Sequence, residues 1–298
     1  MNEDYSYFQS NEFRSSLEAY ERMIGSGESV ELDSETLVDI AEYYAMEQRM
    51  DDANRCIQYA TSFYPDSIDP QIFLSRQQMF EGNEEEAWKI CKSITDQDDR
   101  EVTFLKAELF LNFERKEKAL PLLLYKYKEI SDRTEAADFL YDSISLLNDY
   151  GLGKEALEWV FILRRNHPNY EDTIVLEAEV RNLRGEYALA IELAEQYIEM
   201  HPYDTRAWMQ LAEANGSLQH YDEAVDALDY ALAIEPDNAE MLMLKGNLLH
   251  DSGYIADAHE CYARFLEYFP NDEHARMLDA ECLMDLGEVD AAIRLITT

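Results

Sequence analysis

Residues 187–204 read YALAIELAEQYIEMHPYD, and residues 221–238 read YDEAVDALDYALAIEPDN. Each opens on an aromatic residue, has Ala three positions on, and has Pro twelve positions beyond that Ala. The same pattern runs outward in both directions. Ala53, Ala87, Ala119, Ala156, Ala190, Ala224, Ala258 and Ala292 follow one another at spacings of 34, 32, 37, 34, 34, 34 and 34. Pro168, Pro202, Pro236 and Pro270 hold the 34-residue spacing, and Pro65 stands at the equivalent place. Gly82, Gly151, Gly185, Gly253 and Gly287 each lie five residues before one of the alanines. A period of this length is the mark of stacked supersecondary units that bury their apolar faces against one another.

The unit reads as helix, turn, helix. A small residue recurs on the first helix (Ala41, Ser75, Ala107, Ala178, Ala212, Gly246 and Ala280), where it lets a neighbouring helix approach; Ile144 departs from this in the fourth unit. Glycine falls where a helix C-terminus needs positive φ. The periodic Ala is the close-contact point of the second helix, and Pro ends the unit because it cannot continue a helix. Between them, apolar residues recur at helical spacing, as in Leu37, Ile40, Ala41 and Tyr44.

This pattern resembles the tetratricopeptide repeat family. The match is closest over residues 205–238, where Trp208, Leu211, Ala212, Ala224, Leu228, Ala231 and Pro236 occupy seven of the eight places that the family marks; Asn215 stands at the eighth, usually aromatic. The resemblance covers about residues 34–298, as units near 34–67, 68–99, 100–136, 137–170, 171–204, 205–238, 239–272 and 273–298. It implies an all-α, right-handed superhelical solenoid of about eight helix pairs. Units two and three have Asp99 and Ser131 in place of the terminal Pro. Residues 1–33 read as an N-terminal capping helix and linker, with Phe13, Leu17, Tyr20 and Ile24 on one face and a break at Gly25-Ser26-Gly27. The last unit is expected to leave an apolar face that dimerises or meets a partner.

Composition narrows the partners. Asp and Glu number 63 against 25 Lys and Arg, a formal charge of −38. Such a chain repels phosphate backbones and anionic membrane surfaces. The 47% apolar content is ample for a core, so the acidity does not signal disorder. No run is long and apolar enough to span a membrane, and MNEDYSYFQSNEF has neither the basic nor the apolar region of a secretory signal, so a cytoplasmic location is expected.

In the family, certain first-helix positions face the concave groove. The fifth position of each unit gives Val38, Ile72, Phe104, Tyr141, Val175, Met209, Met243 and Met277. The ninth gives Glu42, Arg76, Glu108, Ser145, Glu179, Glu213, Asn247 and Glu281, and the second includes Glu240 and His274. Positions five and nine are i,i+4 neighbours, so the resemblance implies an apolar stripe beside a row of carboxylates. Family members that clamp an acidic C-terminal peptide use Lys, Asn and Arg there. This chain instead suits a protein or peptide segment with basic and apolar residues. One basic island stands apart: Arg115, Lys116, Lys118, Lys126, Lys128, Arg133, Lys154, Arg164 and Arg165.

No catalytic constellation emerges, and the chain reads as a non-enzymatic scaffold without a cofactor. The six histidines form no HExxH or other metal-ligand spacing; His167 and His201 fall at helix C-termini. Cys56, Cys91, Cys261 and Cys282 form no CxxC and read as small buried hydrophobes. Trp88, Trp159 and Trp208 fall at helix-packing positions. Phosphate-binding glycine loops and nucleophile-elbow motifs are absent from the sequence.

Overall fold

The structure is a computed structural model, and it describes residues 5–26 and 30–297, with side chains from Tyr7 onward. Gly27 of the proposed helix break and the terminal Thr298 lie outside the described residues. Among the described residues the chain is all-α, with no strand. These residues cluster into two compact units. One comprises 16–26, 30–43 and 50–176; the other comprises 5–15, 44–49 and 177–297.

Two N-terminal helices, α1 (Tyr5–Gln9) and α2 (Asn11–Ser26), precede the repeats. Repeat one is α3 (Ser34–Met46) with α4 (Met50–Phe63), repeat two α5 (Asp69–Phe80) with α6 (Glu84–Ser93), and repeat three α7 (Arg100–Asn112) with α8 (Lys116–Glu129). Repeat four is α9 (Arg133–Asp149) with α10 (Gly153–Asn166), and repeat five α11 (Thr173–Leu183) with α12 (Tyr187–Met200). The last three are α13 (Thr205–Ser217) with α14 (Tyr221–Ile234), α15 (Ala239–Asp251) with α16 (Ile255–Tyr268), and α17 (Glu273–Asp285) with α18 (Val289–Thr297).

The periodic alanines do what their spacing implies. All eight are buried, seven of them with no exposed surface and Ala292 with 2%. Leu37, Ile40, Ala41 and Tyr44 are buried as a face, and Ile144, the departure among the small residues, is itself wholly buried. Gly246 shows why the place wants a small residue: a Cβ there would stand 2.5 Å from the ring of Tyr262, which is fully buried.

The turn inside each repeat is the same in all eight. The residue five before the periodic Ala takes positive φ, and the next amide donates back to a carbonyl five residues earlier. Examples are Asn83 to Gln78 at 2.8 Å, Glu186 to Arg181 at 2.9 Å and Tyr254 to Leu249 at 2.8 Å. This is the Schellman closure of a helix C-terminus. Glycine supplies it five times. In the other three turns Gln48, Glu114 and Gln219 take φ of 59°, 58° and 63°. First helices of later repeats are capped by an Asx side chain two residues after the proline. Asp204 accepts from the Arg206 amide, Asn238 from Met241 and Asp272 from Ala275.

At the N-terminus the expected apolar face is corrected in one place. Phe13 and Tyr20 are buried, but Ile24 is 50% exposed and Met23 is buried instead. The expected break does not fall at Gly25 or Ser26, since α2 stays helical through Ser26, and Met23, three residues after Tyr20, takes the inward place on the same face. The short α1 belongs to the second compact unit, where it packs on α15, and the Arg14 guanidinium lies 5.2 Å above the Tyr268 ring.

Candidate functional site

The residues at the fifth position divide by burial. Val38, Ile72, Phe104, Val175 and Met209 are buried at 9% exposure or less and serve chiefly as packing between helices. Tyr141 and Met243 are half-buried, and Met277 is exposed. Among the ninth-position residues, Glu42, Glu108, Glu179, Glu213 and Asn247 are half-buried and Glu281 is exposed.

In the first compact unit one of the row's carboxylates is satisfied internally. Arg76, itself at a ninth position, donates from Nε and Nη2 to the two carboxylate oxygens of Glu108 at 2.7 and 2.8 Å. The charges of Glu42 and Glu101 reinforce this guanidinium. Phe104 packs on Phe139 with ring centroids 5.0 Å apart, and Tyr141 faces Tyr170 at 6.2 Å. The Tyr170 hydroxyl donates to Asp138 at 2.9 Å.

In the second unit the same positions open into a cleft of about 300 Å³. Met209, Glu213, Met243 and Asn247 come together there with Glu240 and His274 from the second position. Leu244, Phe265 and Asp272 complete the lining. These last three were invisible to groove-position reasoning. Phe265 comes from a second helix, and Asp272 is the cap whose signal was an Asx two residues after Pro270. Burial pushes the Glu213 carboxyl up to about 7, the charges of Glu179 and Glu240 push the same way, and an Asn182 hydrogen bond works against them. Three carboxylates, four apolar side chains and one histidine therefore share one concave surface.

The other candidates for chemistry are structural. The four cysteines are free and buried, and burial lifts Cys56 to about 12, so its thiolate is suppressed. Its Sγ–H points at the Leu37 carbonyl, 3.1 Å away. His167 and His201 are helix C-caps. His259 of α16 pairs with the buried Asp279 of α17, a link between neighbouring repeats. Trp159 is buried, Trp88 packs against a core cluster, and Trp208 stacks on Tyr230 at 5.0 Å. Among the described residues no group of His, Cys, Asp and Glu is placed to hold a metal ion, and no helix is long and apolar enough to cross a membrane.

Against known proteins, the tetratricopeptide repeat family matches residues 183–248 and 217–279. Residues 183–279 are thus similar to tetratricopeptide repeats. It is similar to the TPR repeat-containing protein MJ1428 of Methanocaldococcus jannaschii, 31% identical over 126 residues, which is 42% of this chain and 22% of that relative. The matched stretch therefore spans about a fifth of the relative's length. Among solved structures, the crystal structure of MamA is 20% identical, covers 51% of this chain and 88% of its own, and gives a TM-score of 0.45. A second MamA structure is 19% identical over 54% of this chain and 88% of its own, with a TM-score of 0.46.

Proposed function

We propose that the chain is a non-enzymatic interaction scaffold that holds a basic and apolar protein segment in the cleft of its second unit. The observation that carries this reading is the pairing of Met209, Met243, Leu244 and Phe265 with Glu213, Glu240 and Asp272 in one concavity. Apolar anchors supply affinity in desolvated pockets, and like-signed carboxylates select a cation and speed its approach. A ligand carboxylate would add a further negative charge to this group and be rejected. The test is titration of a fluorescent peptide of alternating Lys and Leu against its Glu and Leu counterpart. The Lys peptide binds, and Glu213→Lys weakens it at least tenfold while circular dichroism stays unchanged. Indifference of the Lys peptide to Glu213→Lys removes the cleft from the reading.

A second reading is self-association through the last repeat. It is favoured by Val289, Ile293 and Ile296, spaced as one helical face on α18 and exposed at 44%, 50% and 59%. Ile293→Asp then reduces the sedimentation coefficient at high concentration. A parent that sediments as a monomer at every concentration refutes this reading.

A further inference from the structure

The acidic cleft leaves one feature without a role, the cations gathered on α8 and α10. These two helices hold seven Lys and Arg against four Glu, in a chain whose formal charge is −38. They lie side by side and parallel. Lys116 meets Glu155 at 2.8 Å near their N-termini, and Asn166 donates to the Tyr127 hydroxyl at 3.0 Å near their C-termini. Each presents one exposed stripe at helical spacing: Lys118, Tyr125 and Lys128 on α8, and Lys154, Phe161 and Arg165 on α10. Each stripe is thus an aromatic residue between two cations on neighbouring helices, with one exposed carboxylate in each: Glu129, bonded to Tyr125 on α8, and Glu158, between Lys154 and Phe161 on α10.

Other cations of the island are already engaged. Arg115 bonds to Glu84 at 3.0 Å, Lys126 donates to the Asp98 carbonyl, and Arg133 donates to the Asn166 carbonyl at 3.1 Å. Among the described residues, Lys128 and Arg165, nine residues after Ala119 and Ala156, have neither an ion pair nor a hydrogen bond. Favourable placement of cations near helix C-termini accounts for charge at these two sites. It does not account for Tyr125 and Phe161, which are 63% and 49% exposed beside them. Aromatic residues amid unspent cations form a surface that recognises carboxylates and apolar side chains together.

We propose that the outer face of α8 and α10 is a second docking surface, fitted to an acidic protein segment that also carries apolar residues. The occupant differs in sign from that of the cleft, and the proposal does not depend on the cleft reading. Protein is favoured over nucleic acid because the chain's net charge of −38 repels a continuous phosphate backbone, whereas a short acidic segment need meet only the local patch.

The test uses the full chain and three probes at low salt: a fluorescent peptide of alternating Glu and Leu, its Lys and Leu counterpart, and a single-stranded 20-mer oligonucleotide. The Glu peptide binds saturably. Lys128→Glu with Arg165→Glu weakens it at least tenfold, Tyr125→Ala with Phe161→Ala weakens it at constant charge, and Glu213→Lys leaves it intact. These positions are exposed, so the variants keep the parent's thermal midpoint. Three results overturn the proposal: no saturable binding of the Glu peptide, insensitivity to both double variants, or tighter binding of the oligonucleotide than of the peptide.

Discussion

Arg76 and Glu108, at the same position of neighbouring repeats, face one another through two parallel hydrogen bonds of 2.7 and 2.8 Å. The geometry is the bidentate fork for which guanidinium and carboxylate are matched. Both side chains are largely withdrawn from water, at 21% and 14% exposure. Glu108 reads from sequence as one more carboxylate in a row facing a ligand; in the fold it is already neutralised by Arg76 of the preceding repeat.

The first prediction follows from that pair. Glu108→Ala strands a guanidinium with little access to water, and the expected cost is about 2–4 kcal/mol in urea denaturation. Arg76→Met with Glu108→Leu recovers much of the loss, because an apolar pair of similar volume removes both charges together. An additive double variant would show that the two side chains do not act as a pair.

The repeat turns give a second prediction. Gln48, Glu114 and Gln219 hold left-handed backbone conformations that five other repeats assign to glycine. The left-handed region costs an L-residue about 1–2 kcal/mol, offset by about 0.5–1 kcal/mol of extra chain entropy that glycine gives the unfolded state. Gln219→Gly is therefore expected to raise stability by about 0.5–1 kcal/mol, read as a higher thermal midpoint. Gly185→Ala, at φ 71°, lowers it.

These turns mark how far the sequence could be read. The helix pairs were legible because close helix approach demands a small residue, and Ala recurs at it eight times. The turn was legible wherever glycine marked it. It was hidden at Gln48, Glu114 and Gln219 because the Schellman hydrogen bonds hold the same backbone without glycine. The cleft was half legible. Position within the repeat gave Met209, Glu213, Glu240, Met243, Asn247 and His274, but Phe265 and Asp272 reach it from other elements. Whether a carboxylate in the row is spent or available was not legible at all, since Arg76 and Glu108 are 32 residues apart and only packing brings them together.

A third prediction concerns Gly246. In an exposed helix interior, Ala would be favoured over Gly by about 1 kcal/mol. Here the added methyl would meet the Tyr262 ring at 2.5 to 3.0 Å, and that ring is fully buried with its hydroxyl donating to Asn247 at 2.8 Å. The ring cannot swing away without breaking that bond, so Gly246→Ala is expected to destabilise by about 1–3 kcal/mol. Pairing it with Tyr262→Leu, which vacates the space, should reduce the penalty; an unchanged penalty would place the strain elsewhere.

The fourth prediction separates the Glu213 carboxyl from every other in the cleft. Its ordinary value is 4.5, and in the fold it is pushed up to about 7, first by burial and then by Glu179 and Glu240. Between those pH values the folded chain holds a proton that the unfolded chain has released, so stability falls as pH rises through this window. Below it both states are protonated and the penalty vanishes. Glu213→Gln removes the titration, and is expected to gain up to about 3 kcal/mol over the parent at pH 8 and nothing at pH 4. A gain of equal size at both pH values would mean that the carboxyl does not titrate in this window. The same proton bears on the proposed ligand. A bound cation favours the ionised carboxyl and expels the proton, so binding of the Lys and Leu peptide strengthens from pH 6 to pH 8. In Glu213→Gln that strengthening is reduced, because the side chain has no proton to release.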